Sequence, residues 1–159
     1  MQTGEIRSRG IELEGKASLT EGLSMTARYA YRDNVVAKAN DNTKGKHPVG
    51  VPTHTASLWG DYTFQRGTLA GLGFGAGVRY VGSSYGDSEN TFKVPDFTLA
   101  DAAVHYDLAG LGYDLLKGVR LAVSASNLFD KDYVSNCLTV DLCFFGLRRT
   151  VLGTVSYRW

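Results

Sequence analysis

The sequence predicts an all-β fold: an antiparallel up-and-down transmembrane β-barrel segment of about seven strands. Three observations carry that prediction. Hydropathy alternates with a period of two along most of the chain. The connections between the alternating stretches are short and long in turn, which places all short turns at one end of a meander and all long loops at the other. Aromatic residues gather at both ends of the apolar faces, leaving aliphatic middles.

The strands follow in order. Over residues 6–19, Ile11, Leu13 and Ala17 oppose Glu12, Glu14 and Lys16. Over 23–32, Leu23, Met25, Ala27, Tyr29 and Tyr31 oppose Ser24, Thr26, Arg28 and Arg32. Over 55–64, Ala56, Leu58, Tyr62 and Phe64 oppose Thr55, Ser57, Asp61 and Thr63. Over 72–80, Phe74, Ala76, Val78 and Tyr80 oppose Gly73, Gly75, Gly77 and Arg79. Over 98–108, Ala100, Ala102, Val104 and Tyr106 oppose Asp101, His105 and Asp107. Over 119–127, Val119, Leu121, Val123 and Ala125 oppose Arg120, Ser124 and Ser126. The last strand sets Val151, Val155, Tyr157 and Trp159 against Thr154, Ser156 and Arg158, with Gly153 interrupting the apolar row.

Short turns are expected at 20–22 and 65–71, with a modest one at 109–118; long loops are expected at 33–52, 82–95 and 129–147. Tyr62, Phe64, Phe74, Tyr106, Tyr157 and Trp159 lie at the short-turn ends, and Tyr29, Tyr31 and Tyr80 at the long-loop ends. Alternation alone does not separate an apolar face turned to lipid from one turned into a soluble barrel. The loop asymmetry and the two aromatic bands favour lipid, because Tyr and Trp place an apolar ring and a polar tip at headgroup level. Closed bacterial barrels have an even strand number, and open edges are not tolerated in lipid. Seven strands, with no export signal in residues 1–19, are therefore expected to be a piece of something larger.

Composition agrees. The 159 residues include 19 Gly and 9 Tyr but only 3 Pro, which suits strands and turns. A formal charge of +1, with scattered basic residues, gives no pull toward nucleic acid. No apolar run is long enough for a membrane helix. Cys137 and Cys143, with five residues between them, fit neither a CxxC motif nor a zinc pair.

The polar faces carry Glu12, Glu14, Lys16, Arg28, Asp61, Arg79, Asp101, His105 and Arg120, expected as solvated or mutually paired wall charges. Asp101 and His105 share a face, but no nucleophile is tied to them by spacing, so no enzyme activity is expected. "GLGFGA" at 71–76 fits a loose nucleotide-binding pattern, but no helix follows; its polar-face glycines leave room for something close by. Trp59, on the polar face of its strand, is expected to fill the wall or pack on a neighbouring domain. His47, His54 and His105 are too dispersed for a metal site.

Four strings occur in order: "GEIRSRGIELEG" (4–15), "HPVGVPTHTASLW" (47–59), "VPDFTLADAAVHYDL" (94–108) and "SNLFDKDYVSNC" (126–137). Together they resemble the C-terminal barrel of TonB-dependent outer-membrane receptors. The cysteine pair followed by "FFG" (137–146) is most similar to the last outer loop of ferrichrome-type hydroxamate siderophore receptors. The resemblance implies that residues 1–159 are the last seven strands of a barrel of about 22, with the signal peptide and plug domain absent from this chain. The complete protein would take up ferric siderophores across the bacterial outer membrane, driven by the TonB complex acting on the plug. The segment alone would not be transport-competent. It further implies a Cys137–Cys143 disulfide, favoured in an oxidising compartment, and ligand contact by Phe144 and Phe145. Val151, Val155, Tyr157 and Trp159 would form the C-terminal signal read by the barrel assembly machinery. No resident cofactor or metal is implied; the ferric siderophore is cargo. Two other readings stay open: a small self-contained outer-membrane barrel of structural or adhesive role, and a soluble ligand-binding β-barrel.

Overall fold

The computed structural model describes residues 4–113 and 116–159. Seven strands form one antiparallel sheet: β1 (Glu5–Thr20), β2 (Leu23–Lys38), β3 (His54–Thr63), β4 (Leu72–Val81), β7 (Phe97–Asp107), β8 (Val119–Ser126) and β11 (Thr150–Tyr157). Two small hairpins lie between them: β5 (Ser84–Tyr85) with β6 (Lys93–Val94), and β9 (Val134–Thr139) with β10 (Leu142–Phe145). Each main strand pairs with the next one along the chain, so the sheet is a plain meander. β1 and β11 are the edge strands, each paired on one side only among the described residues.

Register turns the sequence alternation into two continuous faces. Leu13, Tyr29, Ala56 and Tyr80 follow one another across β1 to β4, as do Ala27, Leu58, Val78 and Ala100 across β2 to β7. Phe74, Val104, Val123 and Gly153 continue the same face to β11. Opposite them, Glu14, Arg28, Ser57 and Arg79 form a polar row. A one-residue slip anywhere would put arginines among the leucines, so the pattern fixes the pairing.

The turns joining β1 to β2 and β3 to β4 are compact. Gly22 at φ 92° accepts the Thr63 N–H at 2.8 Å, binding the first turn to β3. Gly71, at φ 87°, similarly accepts the Asp107 N–H at 2.9 Å. Between β7 and β8 a short 3-10 turn, Leu108–Leu111, is capped by the Asp107 carboxylate and closed by Gly112 at φ 77°.

The other end differs from the sequence expectation in two ways. β2 continues to Lys38 instead of stopping before Asp33, because Val35 and Val36 find partners in Arg7 and Ile6 of an equally long β1. The expected loops at 82–95 and 129–147 contain the two hairpins. Burial also concentrates here. Among the described residues the buried apolar side chains are Val94, Leu99 and Cys137, all at the long-loop end. Among the described residues nothing packs as a second layer on the apolar face, where Leu58, Phe74, Val104, Val123 and Val155 are exposed.

Candidate functional site

The polar face is a wall of paired charges. Arg28 Nη2 donates to Glu14 Oε1 at 3.2 Å, and Arg32 Nη2 to Glu12 Oε1 at 3.0 Å. Arg79 forks onto Asp101, with Nη2 donating to Oδ1 at 2.9 Å and Nε bonded to Oδ2. His105 Nε2 lies 3.2 Å from both oxygens of Asp61. Asp101 and His105, which share a face in the sequence, therefore each take a different partner. His105 is 7% exposed, and its Nδ1 is buried without a hydrogen-bond partner. The three polar-face glycines of β4 are the floor beneath two rings. A Cβ on Gly73 would sit 2.1 Å from His105 Cε1, and one on Gly75 would sit 2.4 Å from Trp59 Cζ2. On Gly77 it would meet the Leu58 carbonyl oxygen at 2.5 Å and Trp59 Cε3 at 2.6 Å. Trp59 thus lies flat along the wall, and the glycines make room for it from within the same sheet.

The apolar face ends in two aromatic groups. At the short-turn end Tyr62 and Phe64 meet edge to face at 5.1 Å, Phe64 and Phe74 at 6.4 Å, and Tyr157 lies 6.5 Å from Trp159. At the other end His54 joins the tyrosines: Tyr29 Oη is 2.9 Å from His54 Nδ1, and the Tyr31 ring centroid is 5.2 Å away. The sequence reading weighed His54 only as a metal ligand; its register opposite Tyr31 makes it part of the aromatic band.

The long loops are stitched into a layer. His47 stacks on Tyr85 at 5.4 Å, and Lys93 Nζ lies 5.1 Å over the same ring. Asn90, at φ 59°, accepts the His47 N–H at 2.7 Å and donates to its carbonyl at 2.9 Å. The Gly50 N–H donates to Tyr85 O at 2.9 Å. Hairpin β9–β10 stands beside this layer: a Cβ on Gly50 would lie 3.7 Å from the Asn136 Cβ. Cys137 and Cys143 stand opposite one another in that hairpin and are joined by a disulfide. Phe144 and Phe145 occupy its return strand, Phe145 strongly exposed and Phe144 less so.

The base of the hairpin carries a network that the sequence reading missed. The Asn127 N–H donates to Asp101 Oδ1 at 3.0 Å, while Asn127 Nδ2 donates to the carbonyls of Lys131 and Leu147 at 2.8 and 3.1 Å. Arg148 grips Asp130 (Nε 3.0 Å, Nη2 2.7 Å) and is also paired with Asp132, and the Arg149 N–H donates to Asp130 Oδ1 at 2.8 Å. The only sequence signal for this was the "NLFDKDY" string, whose Asn and Asp residues are suited to left-handed turns; Asn127 and Asp130 have φ of 53° and 55°.

A sheet with one lipid-suited face, one charged face and an ordered loop layer at one end is the wall of a large barrel, and comparison with known proteins identifies which. Residues 1–128 match the family described as TonB dependent receptor-like, beta-barrel. The chain belongs to the TonB-dependent receptor β-barrel family. It is 46% identical over 160 residues to the ferrichrome outer membrane transporter/phage receptor of Escherichia coli K12, covering 100% of this chain and 21% of that protein. It is 38% identical over 154 residues to the ferrioxamine B receptor of Salmonella typhimurium SL1344, covering 97% of this chain and 22% of that one. Among solved structures, the siderophore receptor PiuA of Acinetobacter baumannii superposes with a TM-score of 0.75 at 27% identity, over 97% of this chain and 22% of that one. BauA, the ferric preacinetobactin receptor of the same species, gives 0.79 at 26% identity, over 99% and 23%. The chain thus spans about a fifth of the length of the curated relatives it matches. The paired charges, Trp59 and His105 all lie on the polar face of this sheet.

Proposed function

We propose that this chain is part of an outer-membrane receptor for TonB-dependent uptake of ferric siderophores, and that the ligand is of the hydroxamate class. The observation that carries the reading is the 46% identity, over the whole chain, to a ferrichrome outer membrane transporter; the ferrioxamine B receptor at 38% points to the same ligand chemistry. In this reading the seven strands are the last seven of the barrel. A plug fills the lumen and takes the pull of TonB, and the segment by itself does not transport. The stitched loops form part of the outer mouth. Phe144 and Phe145 are exposed on a hairpin tied by the Cys137–Cys143 disulfide, and offer ring surface to a siderophore. The iron arrives already coordinated, so the receptor supplies aromatic and polar contacts and no metal ligands. Val151, Val155, Tyr157 and Trp159 serve as the assembly signal, presented on β11 and the two residues after it.

The test is iron uptake. Cells lacking their own hydroxamate receptors, given the complete protein that carries this segment, should accumulate radioactive iron from ferrichrome or ferrioxamine B. Accumulation should cease when TonB is deleted. Uptake that is absent from TonB-competent cells, or that persists without TonB, contradicts the reading.

A further inference from the structure

The β7–β8 ladder stops short of the outer end. Its last pair is Ala102 with Ala125, although β7 continues outward to Phe97. Above that point β7 holds the chain leaving β8 by two bonds. The Leu128 N–H donates to the Ala100 carbonyl at 2.7 Å, and the Asn127 N–H donates to the Asp101 side chain at 3.0 Å. Asp101 thus substitutes a carboxylate for a missing ladder carbonyl. The same carboxylate is held from the other side by Arg79 of β4, whose side chain remains 48% exposed on the polar wall. Asn127 passes the constraint on. Its side-chain amide donates to Lys131 O and Leu147 O, which bracket hairpin β9–β10, and its Oδ1 accepts the Lys131 N–H at 2.9 Å. Asn127 is only 3% exposed, so these bonds are sheltered from competing water.

We propose that Arg79 is a positioning residue that sets the last outer loop from inside the barrel, through Asp101 and Asn127. Its guanidinium fixes the rotamer of Asp101, Asp101 fixes the backbone of Asn127, and Asn127 ties both feet of the disulfide-bonded hairpin. Arg79 stands on the polar face of β4, so the outer loop is tied to a residue of the wall and not only to its own turn. The proposal deepens the receptor reading by naming a route between lumen and mouth.

Hydrogen–deuterium exchange on the complete protein in detergent micelles tests it, comparing wild type with Arg79→Gln and Arg79→Lys. Loss of a charge-assisted pair should raise exchange across 127–147 by about tenfold or more in Arg79→Gln. Exchange in β1 and β2 should be unchanged. Lys keeps the charge but not the fork, and should fall between. Exchange across 127–147 within about twofold of wild type in both variants overturns the proposal. If Arg79→Gln does not assemble, Arg79→Lys and Asp101→Asn carry the same comparison, and unchanged protection in both is equally fatal. Exchange does not depend on transport. A wild type that takes up no ferric hydroxamate removes the functional reading while the exchange result still decides the positioning role.

Discussion

At Gly77 a single added carbon would lie 2.5 Å from the Leu58 carbonyl oxygen and 2.6 Å from the Trp59 ring, whereas a Cβ on Gly153 would meet nothing within 4 Å. The two glycines stand in the same sheet, on opposite faces, for opposite reasons. Gly77 is required by a close approach, since the ring of Trp59 lies across β4 and backbone cannot retreat. Gly153 only loosens an apolar row. Gly77→Ala should therefore cost about 1–3 kcal/mol, the range for forcing extra atoms into a filled site, read as a lower denaturation midpoint of the complete barrel. Gly153→Ala, with open space for the added carbon, should leave that midpoint unchanged or raise it slightly. Equal effects of the two substitutions would contradict the packing described for Trp59. The sequence already showed three glycines on one face of β4 and a tryptophan on the polar face of β3. It did not show that the two oddities explain each other, because that needs the register that sets Trp59 opposite Gly77.

Among elements, the alternating strands were readable because period two and the two-faced requirement of a lipid-bounded sheet point the same way. What escaped the sequence lay at the outer end, where neither constraint holds. Asp33 and Asn34 look like turn formers, yet β2 runs through them, because β1 is long enough to pair with it. The hairpins inside the loops are too short to show a period. The clamp at the foot of β9–β10 depends on Asp130 meeting Arg148 from 18 residues away, which no local pattern reveals. Side-chain hydrogen bonds from Arg148, then the Arg149 N–H, hold the Asp130 carboxyl far below the usual carboxylate range. A depressed folded value means the clamp is fully present above the ordinary carboxylate pKa, about 4. It is lost only as pH falls through the lower folded value. Carboxyl-carbon NMR of aspartate-labelled protein, with Asp130→Asn for assignment, should show the Asp130 signal unmoved down to about pH 3 while ordinary aspartates titrate near 4. An Asp130 midpoint near 4 would mean that the clamp does not form.

For the molecule as a whole, the two faces of one sheet carry the account. The apolar face is a continuous aliphatic band between aromatic groups, and the polar face carries cross-strand pairs, Arg28 with Glu14, Arg32 with Glu12, Arg79 with Asp101 and His105 with Asp61. A soluble protein would need to cover the first, and a membrane would not accept the second. A barrel wall uses both, and among the described residues the sheet is open, β1 and β11 each being paired on one side only, as in part of a barrel. The most direct test is alternation of environment along adjacent positions. Single nitroxide labels in the complete protein, in native outer membrane, should be placed at Leu58, Val78, Ala102 and Val123 on one face and at Thr26, Ser57, Ala103 and Ser124 on the other. The first set should be relaxed preferentially by oxygen, which concentrates in lipid, and the second by a water-soluble nickel chelate. Equal accessibility of the two sets, or the reverse assignment, would contradict the barrel-wall reading.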